Sequence, residues 1–311
     1  MSSLIEQAAR RLEELRRAGV SVSVGRGSGQ WADSGYASQG VDTGRMRPAA
    51  NEQVLSAQLA QALHQPQVPP ALNRRLSVDL SRLAAMGYLV PAQAQSLLAD
   101  LLRVIKRPLL QNMLRPLASG GPARRGNVVV VTSAVPGEGK TFVAINLAMS
   151  IAMEVDHAAM LIDGDVLRPS VFSRLGLESQ MGLMDLLVSP EAKATDLLFK
   201  TNVQKLSLLS AGTSHDRAEE LLASASMDAF LDELSARFHD RLIIIDSPPL
   251  LVTTESRALA ERAGQVVLVV EADRTPREQI SRAFETLANC PIVLSVLNKS
   301  RAIESDYVYG Y

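Results

Sequence analysis

Three stretches of the chain hold residues whose types and spacing suit phosphate chemistry. In VVVVTSAVPGEGKTFVAINLA, residues 128–148, an apolar run gives way to two glycines, a lysine and a threonine, and then to a helical pattern. Glycines 137 and 139 let backbone N–H groups approach phosphate oxygens, and the following helix N-terminus adds positive potential. Lys140 is placed to reach the β- and γ-phosphates of a nucleotide, and Thr141 to ligate magnesium. The first glycine usual in such a loop is replaced by Ala134. The second stretch, MLIDGDVLRP, puts Asp163 and Asp165 at the end of an apolar run, and the third, LIIIDSPP, puts Asp246 at the end of another. Taken singly, an aspartate there is a helix cap or a turn residue. Beside a phosphate loop the three together suit a magnesium ion and an attacking group. Magnesium takes few direct carboxylate ligands, which leaves one acid free to accept a proton from an incoming hydroxyl.

Elements that hold such a site must be short buried strands alternating with amphipathic helices. The sequence predicts strands at 127–132, 158–163, 206–210, 241–246, 265–270 and 291–297, with helices in most of the gaps. The expected class is therefore α/β, a P-loop NTPase fold with a mostly parallel sheet flanked by helices and preceded by a helical N-terminal extension. Leu4, Ile5, Ala8, Leu12 and Leu15 give an amphipathic helix over 3–18, stopped by Gly19. Residues 20–70 lose all periodicity and are rich in Gly, Ser, Gln and Pro, as a flexible linker is. Leu72–Met113 predicts two or three helices, with Pro91 in the first turn of one. The expected organisation is an N-terminal helix at 1–19, the linker at 20–70, a basic helical segment at 71–126, a catalytic domain at 127–297 and a C-terminal tail at 298–311.

At 311 residues with 47% hydrophobic content, the chain can bury a full core. Its single cysteine, Cys290, forms no internal disulfide, and four scattered histidines give no zinc-ligand spacing, which fits a reducing compartment. No apolar run is long enough to span a bilayer, and the start lacks a secretory pattern, so a cytoplasmic protein is expected. Charge is uneven. Residues 71–126 hold nine Lys or Arg against two acids, or +7, while 127–311 hold sixteen against twenty-five, or −9. A basic run of this kind is a solvated face, a surface for the acidic domain of a second copy, or one for anionic lipid. The last residues, ESDYVYGY, carry Tyr307, Tyr309 and Tyr311. Alternation of aromatics suits a half-buried strand, yet the position suits an exposed, functional tail, and both readings stand on this stretch alone.

The three motifs and the tail closely resemble the bacterial tyrosine kinases that accompany exopolysaccharide chain-length regulators, over about residues 95–311. The resemblance makes SAVPGEGKT the Walker A loop, LIDGDVLRP Walker A′ and LIIIDSPP Walker B, and makes Tyr307, Tyr309 and Tyr311 autophosphorylation targets. It implies ATP and Mg2+ as cofactors. Pro136, Gly137, Glu138, Gly139, Lys140, Thr141 and Phe142 would hold the nucleotide, and Thr141, Asp165 and Asp246 the metal. Lys140, Asp163, Asp165 and Arg168 form the catalytic set, with Asp163 as base. An oligomerisation helix in that family carries Glu, Arg and Arg at three-residue spacing; here Asp100, Arg103 and Lys106 stand there. Lys lacks the planar fork of Arg, so a ring-like assembly is expected to be weaker or differently arranged. The implied partners are a second copy, an inner-membrane polysaccharide co-polymerase beside which the chain would be peripheral, and a tyrosine phosphatase, with no nucleic acid. The N-terminal helix and LLRVIKRPLL also resemble cytosolic autokinases of exosortase-type export systems. Partition and septum-positioning ATPases share the three motifs but carry a signature lysine where Val135 stands. A nucleotide-dependent scaffold with little catalysis is the remaining alternative.

Overall fold

Val128 to Val131 run in succession with no exposed surface, and the two-residue alternation of a strand sends them to opposite sides. Val128 and Val130 join one apolar core; Val129 and Val131 join another. Each buried valine contributes about 2 kcal/mol by removal from water. The sheet is thus the wall between two cores. The structure, a computed structural model, describes residues 74–113, 125–189 and 191–300. The N-terminal helix, the linker and the tyrosine cluster expected from the sequence lie outside them.

The described strands are, in chain order, β1 (Arg75–Leu76), β2 (Val128–Ser133), β3 (Ala158–Asp163), β4 (Phe199–Thr201), β5 (Leu206–Leu209), β6 (Arg241–Asp246), β7 (Gln265–Glu271) and β8 (Val293–Asn298). They form one sheet in the order β1-β4-β5-β3-β6-β2-β7-β8. The six strands from β5 to β8 in that order are parallel, whereas β4 runs antiparallel to β5 and β1 runs parallel to β4. The helices are α1 (Leu80–Ala85), α2 (Leu97–Met113), α3 (Lys140–Ala152), α4 (Val171–Arg174), α5 (Leu183–Val188), α6 (Ala194–Leu197), α7 (Ala218–Leu222), α8 (Ala225–Arg237), α9 (Thr254–Arg262) and α10 (Arg277–Thr286). Helix α3, with eleven of thirteen residues buried, fills one core; α5, α8 and α9 face the other.

All six expected strands are present. The two that were not expected, β1 and β4, are only two and three residues long, too short for a period to show. Leu72–Met113, expected to hold two or three helices, therefore also supplies an edge strand of the catalytic sheet, and Pro91 opens a single 3-10 turn, Pro91–Gln93. Helix α2 is tied to the rest by buried polar groups. Lys106 Nζ donates to Ser150 O at 2.9 Å and pairs with Glu154 at 2.5 Å, and Asn112 Nδ2 donates to Gln265 Oε1 at 3.1 Å.

Candidate active site

Asp163 and Asp246 end β3 and β6 as direct partners in the ladder, so two carboxylates sit side by side at the carboxyl edge of the sheet. Gly164 permits this. A Cβ there would meet Ile245 Cγ2 at 2.6 Å and Asp246 O at 2.9 Å, and its N–H donates to Asp246 O at 2.8 Å. The strand ends therefore close on one another just where the acids project. Asp163 Oδ2 accepts from the backbone N–H groups of Ser170 (3.0 Å) and Val171 (2.9 Å), which fixes the start of α4. Asp163 Oδ1 and both carboxylate oxygens of Asp246 are buried without a hydrogen-bond partner. Burial first, then the neighbouring Asp246, pushes the Asp163 carboxyl up to about 7, against the pull of its two N–H partners. Burial likewise pushes Asp246 up to about 6, against the opposing charge of Lys140.

The loop between β2 and α3 turns through Gly137 and Gly139, at φ 92° and 96°, a region that side chains with Cβ avoid. A Cβ on Gly139 would also strike the Asn298 amide. Lys140 Nζ lies 2.9 Å from Asp165 Oδ2, in an ion pair mostly hidden from solvent. Thr141 Oγ1 is 3.3 Å from Ser170 Oγ. A cavity of about 370 Å³ opens above, walled by the loop, by Asp165, Leu167, Arg168, Ser170 and Arg174, and by Pro248 to Thr253 in part.

No family model matches the chain. The tyrosine-protein kinase YwqD of Bacillus subtilis is 31% identical over 189 residues, which span 60% of this chain and 78% of that protein. This chain belongs to the bacterial tyrosine-protein kinases. The succinoglycan biosynthesis transport protein ExoP of Rhizobium meliloti is 27% identical over 177 residues, or 56% of this chain but 22% of that protein. In fold, the kinase domain of Escherichia coli tyrosine kinase ETK superposes with a TM-score of 0.61 at 22% identity, covering 77% of this chain and 89% of that domain. Membership decides between the two enzyme classes left open by the sequence, in favour of the kinase over the partition-type ATPase.

Placement of the expected residues in this kinase is uneven. Pro136, Gly137, Gly139, Lys140, Thr141 and Phe142 all border the cavity. Glu138 does not. It is buried, with Oε2 accepting from Val135 N at 2.7 Å and Oε1 accepting from the Thr275 hydroxyl and from Glu271 N, so it braces the loop against the end of β7. Asp165 and Arg168 are on the cavity wall, whereas Asp163 and Asp246 lie behind it. On α2, Asp100 and Arg103 are exposed and pair with each other at 2.5 Å, but Lys106 is buried against α3. The three do not present one free face. Residues outside the three motifs also border the site: Arg174, Val252 and Thr253 on the cavity wall, and Asn298 and Lys299 against the loop. Asn298 Nδ2 donates to Glu138 O at 2.8 Å and Lys299 Nζ to Gly137 O at 2.7 Å. The polar, turn-prone pair Asn-Lys directly after a predicted strand was the only signal for the last two.

The donor set fits magnesium with a nucleotide. Among the described residues no three His, Cys, Asp or Glu side chains form a self-sufficient metal site. A hydroxyl, Thr141, and the acids Asp165 and Asp246 are instead grouped below the phosphate loop, and magnesium completes its octahedron with phosphates and water. The unpartnered oxygens of Asp246 are the ones a cation would relieve.

Proposed function

We propose that this kinase uses ATP with magnesium to phosphorylate a C-terminal tyrosine cluster, Tyr307, Tyr309 and Tyr311, delivered by a second copy of the chain. One observation carries the reading: Lys299 is bonded to the phosphate loop, so the segment that bears the tyrosines departs from the lip of the site. Tyr307 follows Ser300 by seven residues, a reach of about 23–25 Å when extended, which suits delivery to either the same or a neighbouring site. The exposed Asp100–Arg103 end of α2, and the opposite charges of residues 71–126 and 127–311, favour the neighbour.

In the transfer, the bond between Pγ and the β,γ-bridging oxygen breaks and a bond from the phenolic oxygen to Pγ forms. ADP leaves, and the phenolic proton passes to a carboxylate. Asp163 suits that role by its open Oδ1 and a carboxyl raised to about 7, near working pH. Its place behind the wall gives a second reading, in which Asp165, already facing the cavity, takes the proton. Lys140 leaves Asp165 for the β- and γ-phosphates when they arrive, which frees that carboxylate. Magnesium, held by Thr141, Asp165 and Asp246 directly or through water, supplies charge neutralisation on the phosphates.

The relative ExoP, a succinoglycan biosynthesis transport protein, supports a role in regulating exopolysaccharide polymerisation or export. No helix among the described residues is long and apolar enough to cross a membrane, so the proposed membrane link is a partner, a polysaccharide co-polymerase. A tyrosine phosphatase would reset the cycle. Arg168, exposed on the wall, is proposed as a phosphate contact, and the domain boundaries given above serve as the working division.

The test mixes Lys140→Met protein, tail intact, with an active copy truncated after Ser305. Tyrosine phosphate on the Lys140→Met chain is expected, and none on that variant alone. Labelling of isolated Lys140→Met would remove Lys140 from catalysis. An unlabelled Lys140→Met partner, alongside efficient self-labelling of the wild type across a dilution series, would restrict each tail to its own site.

A further inference from the structure

Three cationic side chains border the cavity: Lys140, Arg168 and Arg174. Lys140 belongs to the phosphate loop. Arg174 is different in kind, because it ends α4 at the cavity lining and is held there by a residue from outside the three motifs. Its Nη1 donates to the hydroxyl of Tyr88 at 3.2 Å. Tyr88 is 2% exposed, and its ring lies against Phe142, the residue that follows Thr141, with centroids 5.1 Å apart. The next residue, Leu89, donates its N–H to Asn146 Oδ1 at 2.6 Å, and Asn146 Nδ2 donates to Phe142 O at 2.8 Å. The Tyr88 hydroxyl is thereby registered against α3 and the loop that opens it.

We infer that Arg174 is the cis arginine of phosphoryl transfer and that Tyr88 is the residue that positions it. This deepens the proposed function and rests on it. As the bond to the β,γ-bridging oxygen breaks, its electrons pass to ADP, while the transferring γ-phosphoryl group keeps its charge spread over three equatorial oxygens, and one lysine at the loop does not cover both. A second cation on the cavity lining, a guanidinium that is planar and permanently charged, adds a fork of donors that Lys140 lacks. Arg174 is itself exposed, and its bond to a buried phenol removes part of the rotamer freedom that it would otherwise lose at the moment of reaction.

The experiment uses the full chain with ATP and Mg2+, and measures tyrosine transfer over a range of ATP concentrations for Arg174→Ala, Arg174→Lys, Tyr88→Phe and the Tyr88→Phe/Arg174→Ala pair. Melting temperature is followed for each. Arg174→Ala is expected to lower kcat about 10³-fold, with KM for ATP changed less than threefold. Arg174→Lys should recover only part, since a point charge does not reproduce the fork. Tyr88→Phe should lower kcat about three- to tenfold, the worth of one hydrogen bond, and cause no further loss in the Arg174→Ala background. A kcat for Arg174→Ala within threefold of wild type overturns the assignment. Equal losses from Tyr88→Phe in both backgrounds overturn its positioning role and leave Tyr88 as packing. Wild type that hydrolyses ATP without labelling tyrosine overturns the acceptor reading alone, and the same variants are then read on hydrolysis.

Discussion

Asp246→Asn is expected to make the metal-free, nucleotide-free protein more stable at neutral pH. The wild-type carboxylate is fully buried beside a second buried acid, and burial, outweighing the pull of Lys140 and of the Thr141 hydroxyl, raises its carboxyl from 3.8 to about 6. A shift of this direction means the folded chain holds a proton that the unfolded chain has already released. Stability is then greatest below 3.8, falls as pH rises from 3.8 to about 6, and stays low above that. Two pKa units at about 1.4 kcal/mol each give a penalty of about 3 kcal/mol at pH 7.5. An amide of the same shape carries no such penalty. The variant should melt roughly 5–10 °C above wild type in EDTA at pH 7.5, and the gap should shrink to about a third at pH 4.5. Saturating Mg2+ and ATP should invert the order, because wild type gains ligand-linked stability that the variant has lost. Scanning calorimetry across pH, with and without ligand, reads all three. A variant that melts below wild type in EDTA, or a gap that does not change with pH, would show that the buried carboxylate is not the source of strain.

Gly139→Ala should weaken ATP binding at least tenfold by calorimetric titration, since its φ of 96° and the Asn298 amide both oppose a Cβ. Lys106→Met and Arg103→Glu separate the two halves of α2. The first, which leaves Glu154 unpaired at a largely buried contact, should cost about 2 kcal/mol of stability with no change in assembly mass. The second breaks only an exposed pair, so melting should hold within a degree or two while sedimentation shifts toward the monomer.

The catalytic edge of the sheet was legible because its residues obey local rules. Four consecutive valines before a glycine turn, and an aspartate closing each of two apolar runs, fix a strand end and what projects from it. Helical spacing likewise gave α2, but not which way Lys106 faces: the same period admits a free ridge and a ridge locked onto α3, and only Ser150 O and Glu154 decide. Glu138 was misleading for a related reason. It lies among phosphate-binding residues in sequence, yet its partners Thr275 and Glu271 come from more than 130 residues downstream. Tyr88 and Arg174 carried no signal at all. Their meeting depends on a tertiary contact between a turn that precedes the phosphate loop and a single-turn helix that follows the second motif.

The contact of Asn298 and Lys299 with the loop sets a limit on modularity. The strand that leads toward the tyrosines is at once the rim of the sheet and a strut of the nucleotide site, with Asn298 on Glu138 and Lys299 on Gly137. A cut after residue 300 would remove the proposed acceptor segment and spare both struts. A cut three residues earlier would remove the struts as well, and nucleotide affinity with them. The proposed substrate segment and the catalyst are consequently not interchangeable parts: a tail exchanged between two such kinases carries its donor's loop support with it unless the junction falls beyond Lys299.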